Sequence, residues 1–212
     1  MARSSKEQAA SNRQRIVKVA SELFRSRGYD AVGIADVMQA AGMTQGGFYK
    51  HFANKEALAC EAWAAGFSSV DATWAPPEGQ ATGDEGPSIE AIVQYYLSAQ
   101  RPEDRCPMQG HGEDAARSDN GGALRAVYAA GAGTLYRTFV TKAGDTMDED
   151  RAKLLFAAMV GANMLGRASG EADWVQDIKH AVDSAVRVCA SSAAPRDTAG
   201  TPSSRSCPCP HA

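Results

Sequence analysis

A run of polar residues that follows Gly42 has the spacing of one exposed helical surface. Phe48 and Phe52 lie four residues apart, so a helix through them would turn both rings toward the interior. The positions left nearer the outside are Gln45, Gly46, Tyr49 and Lys50. Amide, hydroxyl and ammonium groups of this kind hydrogen-bond to phosphate oxygens and base edges. The spacing therefore indicates a surface that contacts double-stranded DNA.

The cysteines are the second set of residues with reactive chemistry. There are five, an odd number, and the polar start of the chain lacks a secretion signal, so a disulfide framework explains them poorly. Arg101 and Arg105 stand close to Cys106, and neighbouring positive charge lowers the pKa of a thiol. We predict that Cys106 is a sensor thiol, with a small buried apolar residue as the alternative. Cys60 and Cys189 are predicted to be core residues.

Metal-binding side chains occur near the end of the sequence, at Cys207, Cys209 and His211. They supply three donors, one fewer than a closed tetrahedral zinc site requires. They also lie in a tail dominated by Ser, Ala, Pro and Thr, which predicts disorder. We predict no metal site and no cofactor.

A helix-turn-helix pattern would position the polar surface. The apolar stripe of its first helix, over residues 33–41, is Ile34, Val37, Met38 and Ala41. Gly42 ends that helix, Met43 fills the turn from inside, and the Thr44 hydroxyl can cap the next helix or contact a phosphate. An earlier amphipathic helix ends at Gly28, and Asn54 is an N-cap for a fourth helix.

Residues 13–58 resemble the DNA-binding domain of the TetR/AcrR family of transcriptional regulators. The resemblance rests on the Ala-Gly-apolar-Thr turn at 41–44, the Gly-aromatic-Tyr core at 47–49, the Tyr-x-His-Phe run at 49–52 and the Lys-Glu-x-Leu helix start at 55–58. It implies that Gln45 and Gly46 approach base edges. The residues that it places at phosphates are Thr44, Tyr49, Lys50, His51 and Lys55.

Gly33 departs from the family pattern. The family often has Thr or Ser at this position, where the hydroxyl caps a helix and contacts a phosphate. Gly33 therefore keeps a place near the DNA but is expected to lose that contact, although glycine is itself an acceptable N-cap.

Charge is distributed unevenly along the 212 residues, whose net charge is −3. Residues 1–56 hold nine Lys and Arg against five Asp and Glu, a net +4, while the remainder holds thirteen against twenty, a net −7. A basic head on an acidic body fits a DNA-binding domain joined to a second domain. With 44% hydrophobic residues and no apolar run of about 18 residues, the chain is predicted to be globular, cytoplasmic and not membrane-bound.

The rest of the chain has helical periodicity and no alternating strand pattern, so we predict an all-α fold of about nine helices. Residues 74–86 should form a loop that ends the preceding helix. Residues 101–112 should be irregular, and a short helix should follow at 113–117. Longer helices are expected at 122–143, 149–168 and 172–189. The predicted organisation is a helix-turn-helix domain at 1–53, an effector-binding and dimerisation domain at 54–190 with a connecting helix at 54–73, and a disordered tail at 191–212.

The last two predicted helices carry apolar stripes that include small residues. They are Leu154, Leu155, Ala158, Gly161, Ala162 and Leu165 on the first helix and Val182, Ala185 and Val186 on the second. Small residues let another helix approach closely, but the same stripes could simply close the core of one chain. The resemblance implies that these helices form a homodimer, which would place two recognition helices on successive major-groove faces.

An effector pocket in the acidic body is implied by the resemblance alone. The residues that it suggests are Trp63, Tyr95, Tyr96, Met108, Tyr128, Met159 and Asn163, although aromatic and Met stripes at helical spacing are often core. The loop position of Cys106 also resembles a branch of the family that senses electrophiles or oxidants. We therefore predict a homodimeric repressor that leaves a palindromic DNA operator when it binds a small molecule or when a thiol is modified.

An enzyme and a protein-binding module are the alternatives to a DNA-binding regulator. An enzyme could use Cys106 as nucleophile and His111 as base, but no oxyanion site, Gly-rich phosphate loop or paired carboxylates accompany them. We therefore predict that the chain is not an enzyme. A helical module that binds only protein is the alternative, and the basic head argues against it.

Overall fold

The chain is helical through most of the residues that a computed structural model describes, which are 2–75, 86–98, 101–118, 122–170 and 172–192. In chain order the helices are α1 (Ala2–Arg27), α2 (Ile34–Ala40), a 3₁₀ helix (Gln45–Lys50), α3 (Lys55–Trp74), α4 (Ile89–Leu97), a second 3₁₀ helix (Pro102–Asp104), α5 (Pro107–Arg117), α6 (Ala123–Ala143), α7 (Glu149–Ser169) and α8 (Asp173–Ser192). No strand occurs among the described residues, and the all-α prediction is confirmed.

Local chemistry sets where several of these helices begin. The Asn54 side chain accepts a hydrogen bond of 2.8 Å from the Ala57 amide at the start of α3, as the sequence predicts. Ser88 caps α4 in the same way through the Ala91 amide, and Asp148 caps α7. Gly42 follows α2 with φ of 68°, a left-handed conformation that glycine adopts without a side-chain penalty.

The first apolar core lies among α1, α2, the first 3₁₀ helix and the first half of α3, and we call it the head core. Its largest fully buried residues are Ile16, Phe24, Met38, Phe48, Leu58 and Trp63. Leu58 and Trp63 belong to α3, and Ala115 and Leu124 join from α5 and α6. Residues 1–53 therefore do not close the head core by themselves.

A second apolar core, the body core, fills the space among the second half of α3 and α4 to α8. Its members include Phe67, Tyr96, Leu135, Phe139, Met159 and Val186. α3 and α6 approach closely here, because a Cβ atom added at Gly131 would stand 2.3 Å from the Phe67 ring. α3 thus contributes Trp63 to one core and Phe67, one helical turn later, to the other.

Three helix predictions need correction. α5 begins at Pro107 rather than at 113, because proline is well suited to the first helical position and the Cys106 carbonyl accepts the Gly110 amide at 3.0 Å. The helix after Thr44 is a six-residue 3₁₀ helix. α8 continues to Ser192, past the predicted start of the tail at 191, and Cys207, Cys209 and His211 lie outside the described residues.

None of the described helices has both the length and the apolar composition that crossing a bilayer requires.

Candidate nucleic-acid interface and effector cavity

The first 3₁₀ helix presents the polar surface that the sequence predicts. Phe48 and Phe52 are buried in the head core, whereas Gln45, Gly46 and Lys50 are exposed. The Tyr49 side chain is 69% exposed, and its ring stands edge-on to Phe48 at 5.2 Å, so the tyrosine is held while its hydroxyl faces outward. A side chain at Gly46 would meet no atom within 4 Å, which leaves the backbone there open to a bulky partner.

Thr44 occupies the N-cap position of this 3₁₀ helix, but its hydroxyl makes no capping hydrogen bond. The predicted N-cap position is therefore confirmed, but of the two roles predicted for the hydroxyl the capping bond is not formed, and the Thr44 carbonyl instead accepts the Gly47 amide at 3.0 Å. Because the residue is exposed, the hydroxyl remains on the same surface as Gln45 and Tyr49.

Gly33 precedes α2 in extended conformation, and its amide donates a 2.7 Å hydrogen bond to the Asp36 carboxylate. The helix start is thus capped by a residue three positions later instead of by a hydroxyl at position 33. Gly33 is exposed, and its place near a bound duplex stays a prediction.

Lys55 begins α3 with its ammonium nitrogen 4.2 Å from the centre of the Tyr29 ring. A cation at a helix N-terminus gains nothing from the helix dipole, whereas an anion there is attracted by both the free amides and the lysine. Tyr29 holds the ammonium group by a cation–π contact, a role that the sequence analysis did not assign to it.

Arg13 is a second residue whose role the sequence analysis missed. Its guanidinium lies over the Phe52 ring, donates to the His51 carbonyl and pairs with Glu61 of α3. It therefore joins α1, the segment after the 3₁₀ helix and α3. Through this contact the backbone of His51 is fixed while its half-buried side chain stays at the edge of the polar surface.

Cys106 is buried, and burial raises the pKa of its thiol to about 11. The predicted lowering by Arg101 and Arg105 is wrong, because loss of solvent outweighs neighbouring charge and Arg101 pairs with Asp104 at 2.7 Å. The charge that does act against the rise is that of Arg25. Cys106 and the half-buried Cys60 are not in disulfides. The sensor role of Cys106 stays a prediction.

His111 cannot form the nucleophile and base pair of an enzyme in this arrangement. It is fully buried and stacks on Trp63 with 4.4 Å between ring centres. Burial, reinforced by the charge of Arg25, lowers the pKa of His111 to about 3, so the imidazole is neutral near pH 7. A buried neutral imidazole stacked on an indole ring matches a packing role.

A cavity of about 570 Å³ lies among α3, α4, the second 3₁₀ helix and the end of α1. We call it the Arg25 cavity, and its wall includes Arg25, Val70, Trp74, Ile92, Tyr95, Tyr96, Asp104, Arg105 and Cys106. Tyr95, Tyr96 and Cys106 were predicted as pocket residues, and they meet here. Arg25, Arg105 and Trp74 were not predicted to line a pocket. They come from three separate segments, and their spacing in the sequence does not show that these segments meet at one cavity.

The other predicted pocket residues are packing residues outside the Arg25 cavity wall. Trp63 belongs to the head core, and Met108 and Met159 to the body core. The hydroxyl of Tyr128 donates to the Met108 carbonyl at 2.9 Å, and the Asn163 amide donates to the Tyr96 carbonyl. The polar groups of Tyr128 and Asn163 thus hold helices together. None of these five residues lines the Arg25 cavity, and their contact with an effector stays a prediction.

The residues predicted to form a dimer interface divide into two sets. Leu155, Ala162, Val182 and Val186 are buried in the body core of one chain, and their place in a dimer interface stays a prediction. Leu154, Ala158, Leu165 and Ala185 are exposed, and Gly161 has open space where a side chain would lie. Met164 and Trp174, which were not predicted, are exposed nearby in sequence at 65% and 49%. We call Leu154, Ala158, Leu165 and Ala185 the outer face of α7 and α8.

No group of three His, Cys, Asp or Glu in the described part of the chain is arranged to hold a metal ion.

Comparisons with known proteins point to one family. Residues 16–62 match the sequence model described as bacterial regulatory proteins, tetR family. The chain is 30% identical over 105 residues to the HTH-type transcriptional regulator AcrR of Shigella flexneri, covering 50% of this chain and 49% of that protein. It is 40% identical over 58 residues to the HTH-type transcriptional regulator TtgR of Pseudomonas putida, covering 27% and 28%. The chain thus spans about half the length, or less, of these relatives.

Solved structures extend the likeness over most of the fold. A TetR transcriptional regulator from Chloroflexus aurantiacus is 25% identical with a TM-score of 0.66, covering 85% of this chain and 96% of that one. Reduced NemR of Escherichia coli, at 16% identity and a TM-score of 0.64, shares the fold over 81% of this chain and 95% of that one. Residues 16–62 are thus similar to the tetR family in sequence, and the fold over most of the chain is similar to that of a TetR transcriptional regulator. The relatives named here are regulators, in agreement with the prediction that the chain is not an enzyme.

Proposed function

We propose that the chain binds duplex DNA as a homodimeric transcriptional repressor. The observation that carries the proposal is the exposed polar surface of the 3₁₀ helix, within a segment that matches the tetR family. In this proposal Gln45 and Gly46 approach base edges in the major groove, since they lie at the exposed start of the 3₁₀ helix. The groups that hold phosphates are Thr44, Tyr49, Lys50, His51 and Lys55, with Gly33 close to the same strand.

Release from the operator follows from a shift between two conformers. A ligand that binds the Arg25 cavity, or a modification of Cys106 in its wall, favours a conformer in which the two recognition helices no longer match the groove spacing. The cavity supports this proposal because its wall includes residues of both the body and α1, the helix on which the head core packs. The high thiol pKa of Cys106 favours the ligand over thiol modification as the signal.

Binding of labelled duplex from the DNA upstream of the gene, followed by fluorescence anisotropy, tests the proposal. If each dimer neutralises about six to ten phosphates, affinity falls by about a thousandfold or more between 50 and 200 mM salt. Lys55→Ala should weaken binding to specific and scrambled duplexes alike and flatten the salt slope by about one unit per subunit. Gln45→Ala should instead reduce the preference for the specific duplex by about tenfold.

Lys153→Ala is the matched control, because Lys153 lies on α7 and pairs there with Glu149 and Asp150. It should leave both affinity and salt slope unchanged. Equal losses on both duplexes for Gln45→Ala would remove its base-reading role. No duplex affinity at any salt concentration, on upstream or distant genomic DNA, would favour the protein-only helical module.

A further inference from the structure

The wall of the Arg25 cavity combines apolar rings with positive charge. Trp74, Ile92, Val70 and Tyr96 supply an apolar and aromatic surface. Three charged residues also line it, Arg25, Asp104 and Arg105. The Asp104 carboxylate is already paired with Arg101 at 2.7 Å, outside the cavity wall. Neither Arg25 nor Arg105 makes an ion pair with any described residue, so the charge left for a ligand is positive.

Arg25 is the better placed of the two cations. Its guanidinium is partly buried, and one of its donors, Nε, is fixed by the Glu103 carbonyl at 3.1 Å. Burial is the largest influence on the Arg25 pKa and lowers it, while Glu22, Cys106 and Asp104 act in the opposite direction. An arginine stays protonated under such conditions, and its remaining donors can bind a carboxylate or sulfonate in a fork. A partly buried cation without an ionic partner gains more from an anion than an exposed one does.

We infer that the Arg25 cavity binds an aromatic or apolar small molecule that carries an anionic group, with Arg25 and Arg105 holding the anion. A volume of about 570 Å³ lies within the range of sites for small organic ligands, which is about 300–1,000 Å³. The rings of Trp74 and Tyr96 cover the apolar part of the ligand. The inference rests on the proposed function only in identifying this ligand as the effector.

The position of Arg25 also gives such a ligand a direct contact with the head. Arg25 lies in the last turn of α1, and the rest of that helix supplies Ile16 and Phe24 to the head core. On its other side, α5 packs against it, since a Cβ atom at Gly110 would stand 3.2 Å from the Arg25 Cα atom. An anion that draws the guanidinium into the cavity therefore acts on α1 itself, without an intervening segment.

Two fluorescent probes that differ in charge test the inference on the full chain without DNA. 8-Anilinonaphthalene-1-sulfonate is an aromatic anion, and N-phenyl-1-naphthylamine has the same rings without the sulfonate. Arg25→Met should weaken the anionic probe by about tenfold or more, the effect of losing a charge-assisted contact, and leave the neutral probe within about twofold. Arg105→Met should act in the same direction, and Arg25→Lys should restore part of the affinity.

Arg137→Met is the matched control, because Arg137 is exposed on α6 and is not part of the cavity wall. It should change neither probe. Equal weakening of both probes, or of neither, in Arg25→Met and Arg105→Met would overturn the inference, and circular dichroism identifies a variant that has unfolded. Because duplex binding is measured separately, a chain that binds DNA but not the anion fails only this inference. A chain that binds the anion but not DNA fails only the proposed function.

Discussion

At the scale of single residues, exposure on the 3₁₀ helix follows side-chain type, which is why the sequence could predict it. Phe48 and Phe52 must be buried, and their spacing alone turns Gln45 and Tyr49 outward. The properties of Cys106 could not be predicted in this way. Arg25 and Tyr96, which act on the thiol, belong to α1 and α4, far from Cys106 in sequence. The pKa of Cys106 is set mainly by burial, and charged residues close in sequence do not show whether a thiol is buried.

Cys106 should react slowly with iodoacetamide in the folded protein. With a pKa raised to about 11, the thiol stays protonated near neutral pH and the thiolate fraction rises only as pH approaches that value. At pH 7.5 we expect alkylation at least about tenfold slower than in the urea-unfolded chain, a difference that narrows as pH rises. Peptide-resolved mass spectrometry measures the rate, and Cys106→Ser identifies the peptide.

The same pKa shift gives a stability expectation with a defined sign. The folded pKa lies above the unfolded value, so the protonated thiol contributes stability below about pH 9 that is lost as pH rises toward 11.

For the alkylation experiment, equal rates in the folded and unfolded chains at pH 7.5 would contradict burial as the main control on Cys106 reactivity and would favour a reactive sensor thiol.

At the scale of elements, helix positions were predictable where a cap or breaker marks them. Asn54 and Gly42 mark their helix ends correctly. α5 begins six residues before the predicted start at 113, because Pro107 does not break the helix but occupies its first turn, where proline is accommodated. The close approach of α3 and α6 was not predictable, because it depends on Phe67 meeting a glycine 64 positions away in sequence.

Gly131→Ala should destabilise the fold by about 1–3 kcal/mol, the cost of overpacking a close helix contact. A methyl group there would overlap the Phe67 ring at 2.3 Å, so α3 and α6 must separate. Gly133→Ala is the control on the same helix, because its nearest neighbour is the flexible end of Arg137 at 3.4 Å. Thermal unfolding measures both variants.

For Gly133→Ala we expect little change or a gain of up to about 1 kcal/mol from helix propensity. Similar unfolding temperatures for the two variants would show that the α3–α6 contact relaxes without cost.

At the scale of the whole molecule, the sequence predicts the unequal charge of the head and the body. It does not predict which residues of the apolar stripes on α7 and α8 are buried and which are exposed. A stripe at helical spacing does not show which of its members face the chain's own core. The structure divides them, and only the outer face of α7 and α8 stays exposed. Dimerisation through this face remains part of the proposed function, and it would let two heads reach half-sites about 34–36 Å apart.

Leu154→Arg should convert a dimer to monomers, because Leu154 is 72% exposed in one chain and a charge would be buried at a two-fold contact. Analytical ultracentrifugation measures the change. Ala64→Arg adds the same charge at an exposed position of α3 and should leave the mass unchanged. If Leu154→Arg remained dimeric while Ala64→Arg dissociated, the contact would lie on another face.

The division of α3 between two cores restricts where this molecule can be cut and recombined. Leu58, Ala59, Ala62 and Trp63 of α3 complete the head core, and Phe67 begins the body core one turn further on. A chimera that joined residues 1–53 to a foreign body would leave Phe24 and Phe48 without the residues that cover them. A workable graft would carry the head together with the start of α3, and the foreign helix would have to continue it in the same rotational phase.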